Sequence, residues 1–225
     1  MPSSLRLAVF DCDGTMVDSQ HSIVAAMQTA FGSQGFDLPT PHAVRRVVGL
    51  PLADAIAVLT PGVESHVRER LREGYRQAYS GSRVRGEIND PLFPGLYEAL
   101  DDLEKGGWLL GIATGKSHAG LVNTLQSHRL QDRFSTLQTA DRGAGKPNPD
   151  MLLQAMAETG VDKTQTVMIG DTTFDIEMAR NAGTLAIGVA WGYHEAEELT
   201  AAGAHAVVMA YADVSRTLNE ILESV

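Results

Sequence analysis

Apolar positions follow two alternating patterns along the chain. Runs of strand length occur at 5–10, 108–113, 134–138, 166–169, 184–190 and 206–209, each bounded by Gly, Asp, Thr or other polar residues. Between them, segments such as 151–158, 174–181 and 214–222 carry helical spacing. Strands apolar along their whole length are buried on both faces, and strand–helix alternation supplies the helices that cover a parallel sheet. The pattern predicts an α/β core.

One connection breaks the alternation. Nearly a hundred residues separate the first run from the second, where connections in such folds usually take about 2–6. This stretch has helical spacing: Ile23, Met27 and Phe31 lie at i, i+4 and i+8, and Val67, Leu71 and Tyr75 repeat the interval. The charges among them, Glu64, Arg68, Glu69, Arg70, Arg72 and Glu73, read as a solvated face. Pro91 and Pro94 mark the return to the core before a helix at 96–104. Residues 17–90 are therefore expected to form a helical insertion over the carboxyl end of the first strand, with 1–16 and 91–225 as the core.

Composition narrows the function. With 44% hydrophobic and 20% charged residues the chain is ordinary globular material. A net charge of −10 argues against broad contact with nucleic acid or anionic membrane, so an anionic substrate must be drawn in by a local cluster of cations. Cys12 is the only cysteine, which leaves no intramolecular disulfide and no Cys-based metal site; it reads as a small buried filler. The first apolar run is too short for a signal-peptide core or a membrane span. The chain is expected to be soluble, cytoplasmic, and a monomer or homodimer.

Candidate chemistry sits where the strands end. The first closes on Asp11-Cys12-Asp13-Gly14-Thr15 and the second on Ala113-Thr114-Gly115-Lys116-Ser117. Gly145-Lys146-Pro147-Asn148-Pro149-Asp150 follows the third, and Ile169-Gly170-Asp171 ends the fourth, with Asp175 one helical turn on. In an open parallel sheet these loops share the carboxyl edge, where ligands bind. A hydroxyl, a lysine and several carboxylates thus converge from four distant loops. Gly143-Ala144-Gly145-Lys146 has the look of a phosphate-binding P-loop, but Ala140 and Pro147 stand where it needs Gly and Ser/Thr.

Taken in order, the four motifs resemble those of the haloacid dehalogenase superfamily, and the resemblance covers essentially the whole chain. It implies a Rossmann-like parallel-sheet core with an inserted all-helical cap. It also implies roles: Asp11 as nucleophile, Asp13 as general acid and then base, and Thr114 and Lys146 holding the phosphoryl group. Asp171 would hold Mg²⁺ together with Asp11 and the backbone carbonyl of Asp13, with Asp175 as the motif's second carboxylate.

Charge arithmetic agrees. Unit charges about 4 Å apart repel by roughly 4 kcal/mol at an effective dielectric near 20, so Asp11 and Asp171 facing a phosphate dianion cost on the order of 16 kcal/mol. Lys146 alone cannot cancel that, and a divalent cation with oxygen ligands can. Gly14 is expected to let the backbone turn under the ligand, Thr15 either to donate into the site or to cap a turn, and Gly115 to present a bare N–H to phosphate. Lys116 reads as a surface side chain, and Trp191, Gly192 and Tyr193 as packing.

The small cap after the first motif resembles phosphoglycolate phosphatases and β-phosphoglucomutases. Asp13 supplies the acid that an alcohol leaving group needs, and Thr15 favours the phosphatase side. Val48-Gly49-Leu50-Pro51 resembles the cap loop over the substrate, with Arg45 and Arg46 before it as candidates for a substrate carboxylate. The expectation is a Mg²⁺-dependent phosphatase acting on a small phosphorylated metabolite, phosphoglycolate or a sugar or nucleotide phosphate. The alternatives are a phosphomutase and a non-catalytic phosphometabolite-binding protein.

Overall fold

The computed structural model describes residues 5–224. Six strands form one parallel sheet: β1 (Arg6–Phe10), β2 (Trp108–Thr114), β3 (Thr136–Thr139), β4 (Thr166–Gly170), β5 (Leu185–Val189) and β6 (Ala206–Val208). Their order is β3-β2-β1-β4-β5-β6, with β1 paired to both β2 and β4. The chain first winds outward from β1 to β3, then crosses back to place β4 on the other side. Beyond the carboxyl ends of β1 and β4 the winding therefore reverses, which is where open α/β sheets form their ligand crevice.

The period-two alternation of β1 is absorbed on both faces. Ala8 and Phe10 enter one core with Leu100 of α5 (Leu96–Lys105), Leu121 of α6 (His118–Ser127) and Leu218 of α10 (Val214–Glu223). Leu7 and Val9 enter the other with Leu152 of α7 (Asp150–Thr159), Ile176 of α8 (Thr173–Ala182) and Leu199 of α9 (Ala196–Ala202). Leu7 and Phe10 have no exposed surface, and full burial of such a side chain contributes about 1.5–3 kcal/mol.

The segment between β1 and α5 is helical: α1 (Gln20–Ser33), α2 (Pro41–Arg45), α3 (Leu52–Leu59) and α4 (Ser65–Val84). It has a hydrophobic cluster of its own, in which Ile23, Met27 and Phe31 of α1 pack with Val44, Ile56 and Leu71. The two crossings between this segment and the sheet are tied together. Asp18 N–H donates to Pro91 O at 2.8 Å and Phe93 N–H to Met16 O at 3.0 Å. Among the described residues no helix is long and apolar enough to cross a membrane.

Candidate active site

The core loops deliver side chains to the crevice because their strands end there. Asp11 directly follows β1, and its backbone N–H still bonds Ile169 O of β4 at 2.9 Å. Asp171 follows β4, and Thr114 is the last residue of β2. Asp11, Asp171 and Asp175 are buried, each offering a carboxylate oxygen within 4.8 Å of the others.

Donors orient these carboxylates individually. Thr15 Oγ1 donates to Asp171 Oδ1 at 2.8 Å and Tyr193 N–H to Oδ2 at 2.9 Å. Asp175 Oδ2 accepts from Thr172 N–H and Oγ1 at 3.0 and 2.7 Å, an arrangement that also caps α8. Lys146 Nζ stands 2.7 Å from Asp11 Oδ1 and 2.6 Å from Asp175 Oδ1, with its side chain wholly buried. Both are ion pairs within hydrogen-bond distance, so the ammonium spans the two carboxylates, while among the described residues Asp11 Oδ2 has no hydrogen-bond partner.

One cation among three buried carboxylates leaves the charge unbalanced. Burial pushes the Asp11 carboxyl up to about 7, with Asp175 and Asp13 adding to the shift and Lys146 opposing it. Asp171 is raised well above the usual range by burial and then by Asp11 and Asp175. Burial would lower Lys146, yet Asp11 and Asp175 outweigh it and keep the ammonium charged. A divalent cation fits this set: clustered carboxylate oxygens, with Asp11 Oδ2 unpartnered among the described residues, are the hard ligands that Mg²⁺ takes.

The linkage can be measured without turnover. Because the folded pKa of Asp11 lies above its unfolded value, its contribution to metal-free stability is fully present below the unfolded pKa and is lost as pH rises through about 7. Near pH 7.5, Mg²⁺ at about 100 times its Kd is expected to add about 2.7 kcal/mol of stability. Asp171→Asn is expected to shrink that increment, and thermal melts with chelator and with Mg²⁺ measure the difference.

Asp13 is held apart from the carboxylate cluster. Lys116 Nζ donates to its Oδ1 and Oδ2 at 2.6 and 2.8 Å, and Ser19 Oγ donates to Oδ1 at 2.5 Å. The expectation of a surface Lys116 is corrected here: its side chain is about 10% exposed and lies inside the cavity. Nothing periodic in a loop could show this, since only the fold brings Asp13 opposite Lys116. Asp13 and Tyr79 outweigh burial and hold the Lys116 ammonium charged. Burial keeps the Cys12 thiol protonated.

Gly14 makes the turn expected of it, and the glycines of the site have further steric reasons. Gly14 has φ +86°, and a Cβ there would stand 2.2 Å from Asp171 Oδ2, so the turn and the close approach both require it. At Gly115 a Cβ would meet the carbonyl oxygens of Gly49 and Leu50 at 2.9 Å, and at Gly145 it would meet Pro51 Cγ at 2.1 Å. Gly115 thus makes room for the loop at 48–51. Gly49 itself lies over Thr172.

Thr114 is buried at the cavity floor, and its Oγ1 accepts from Lys116 N–H at 3.2 Å. Arg45 and Arg46 are not brought to this cavity. Arg46 pairs through two hydrogen bonds with Glu198 at 2.7 and 2.8 Å, and Arg45 Nη1 donates to Gln20 Oε1 at 3.2 Å; both line a separate polar cleft. His118 offers its backbone N–H to Asp141. Trp191 Nε1 and Tyr211 OH both donate to Thr15 O, which fixes the turn that carries Thr15.

The cavity above these groups has a volume of about 670 Å³. Part of its wall comes from Arg72, Arg76, Tyr79 and Arg83 of α4. They stand at i, i+4, i+7 and i+11, one helical face, and that spacing was the available signal that the face points inward. Ser19, six residues after Asp13 and just before α1, had no such signal.

Comparison with known proteins agrees with this arrangement. The family model described as "Haloacid dehalogenase-like hydrolase" matches residues 8–189. A Dickeya dadantii protein named "Probable phosphatase IndB" is 36% identical over 221 residues, spanning 96% of this chain and 95% of that protein. A protein named phosphoglycolate phosphatase from Vibrio vulnificus is 29% identical, spanning 88% and 89%. The crystal structure of a hydrolase from Pseudomonas syringae superposes with a TM-score of 0.84 at 27% identity, covering 97% of this chain and 99% of that one.

Proposed function

The chain belongs to the haloacid dehalogenase-like hydrolases, and from that premise we propose that it is a Mg²⁺-dependent phosphatase that hydrolyses a small phosphomonoester through a phosphoaspartate on Asp11. The observation that carries this reading is the state of Asp11: a buried carboxylate at the end of a central strand, paired with Lys146 through Oδ1, its Oδ2 without a hydrogen-bond partner among the described residues. Such an oxygen is free to attack. Residues 1–16 and 91–225 are assigned to the catalytic core and 17–90 to the cap.

Asp11, Asp171 and the backbone carbonyl of Asp13 would hold the Mg²⁺, with Asp175 anchoring Lys146 beside them. The ion would supply neutralising charge at the phosphoryl oxygens. Lys146, Thr114 and Gly115 bind the phosphoryl group and orient it in line with Asp11. An Asp11 oxygen forms the bond to phosphorus while the ester P–O bond breaks, and Asp13 gives its proton to the leaving oxygen. For this step the Asp13 carboxylate turns from Lys116 to the ester oxygen and takes up a proton from solvent, the proton it then gives to the leaving oxygen, and the phosphoryl group offers Lys116 an anion in exchange. Water then attacks the phosphoaspartate, Asp13 takes its proton, and inorganic phosphate leaves with Asp11 restored.

Hydrolysis in isotopically labelled water tests the reading. Each phosphate released is expected to carry one oxygen from solvent, and enzyme quenched in acid during turnover should carry a phosphoryl group that maps to Asp11. A phosphoryl group on another residue, or an isomerised sugar phosphate with negligible free phosphate, would contradict it.

A further inference from the structure

The cavity above Asp11 and Asp13 is much larger than a phosphoryl site requires. Its volume of about 670 Å³ lies within the roughly 300–1,000 Å³ of pockets that enclose drug-sized ligands. Beyond its ester oxygen, phosphoglycolate offers only a methylene and a carboxylate. With its phosphoryl group held at the core loops, it would leave most of this space filled with water.

The walls away from the core loops are of a different character. Met27 of α1 and Val47, both nearly buried, and the partly buried Tyr75 and Tyr79 line them. The two tyrosines stack with centroids 5.9 Å apart and planes 21° from parallel. Such walls gain contact only with apolar ligand surface, since a wet apolar wall contributes nothing to binding.

Cations run along the same side despite the net charge of −10. Lys116 and Arg83 each lie 5.7 Å from the Tyr79 ring centre, so the ring bridges the Asp13 partner and an outer guanidinium. Arg76 lines the cavity one turn before Tyr79 on the same face of α4, and among the described residues neither Arg76 nor Arg83 is paired with a carboxylate. Val84, 88% exposed, lines the cavity beside Arg83 at the carboxyl end of α4. Unpaired guanidinium groups above an apolar stretch match a ligand with an apolar body and an anionic or acceptor-rich end.

We propose that the natural substrate is a phosphomonoester whose leaving group is several times the size of glycolate, with an apolar body against Met27, Val47 and the two tyrosines and an anionic or acceptor-rich end at Arg76 and Arg83. This rests on the phosphatase reading above.

The experiment compares phosphate release by the Mg²⁺-loaded protein from phosphoglycolate, hexose phosphates, nucleoside monophosphates and phenyl phosphates with and without a ring carboxylate. The best bulky ester is expected to exceed phosphoglycolate in kcat/KM by about 100-fold or more. Val47→Trp, which fills the cavity, should lower that ratio at least about tenfold. Arg83→Ala should lower the preference for esters with an anionic end by a similar factor. Phosphoglycolate matching or exceeding every bulky ester overturns this inference alone. So do ratios that stay fixed in both variants while both remain folded. No release from any ester by folded, Mg²⁺-binding protein overturns the phosphatase reading, and this inference with it.

Discussion

Asp11→Asn is expected to lower phosphate release by on the order of 10⁴-fold or more while the protein remains folded. The amide has the shape of the carboxylate but neither its charge nor its nucleophilicity, and the first step forms a bond from this one oxygen. The fold should tolerate the change. It removes a charge from a site where burial already pushes the carboxyl up to about 7, and Lys146 keeps Asp175 as its counter-ion at 2.6 Å. The metal-free variant is therefore expected to be at least as stable as the parent near neutral pH. Steady-state kinetics beside urea unfolding in chelator checks both halves. Activity within tenfold of the parent, in a folded variant free of deamidation, would remove Asp11 from the nucleophile's role.

Lys146→Met is expected to cause the largest loss of stability, about 3–5 kcal/mol in metal-free protein near pH 7.5. The side chain is fully buried between Asp11 and Asp175, so its removal leaves two carboxylates without their counter-charge. The sign of the pH dependence follows. Without Lys146 the folded pKa of Asp11 moves further above its unfolded value, so the variant should be most stable in acid and weaken as pH rises through neutrality. Activity is expected to fall by about 10²–10³-fold, the usual cost of losing one donor to a transition-state oxyanion. Adding Asp175→Asn to Lys146→Met should recover part of the stability but none of the activity. A double-mutant cycle in urea separates the ion-pair contribution from general damage to packing. A loss below about 1 kcal/mol for Lys146→Met would mean that the carboxylates find other compensation.

The sequence by itself determined the α/β core, the helical insertion and the four loops that carry Asp11, Thr114, Lys146 and Asp171. All of these depend on local rules. A fully buried strand must be apolar along its length, a helix must show its own period, and parallel strands must end at one edge. Local rules allow Thr15 to be either a donor or a turn cap, and the structure makes it a donor to Asp171. What the local rules could not give is which polar groups face each other across the crevice. Lys116 looked solvated until β1 and β2, paired in register, brought it opposite Asp13. Arg45 and Arg46 read only as candidates for a substrate carboxylate, and the fold sets them in a separate cleft with Gln20 and Glu198 as partners. Of the charges at 64–73 read as a solvated face, Glu64, Glu69, Arg70 and Glu73 are exposed, yet Arg72 lines the cavity together with Arg76 and Arg83. In each case the partner lies far away in sequence, and a charge's environment is set by what the fold places within a few ångströms of it. Periodicity reports which face of an element is apolar; only tertiary structure decides which polar face has a roof.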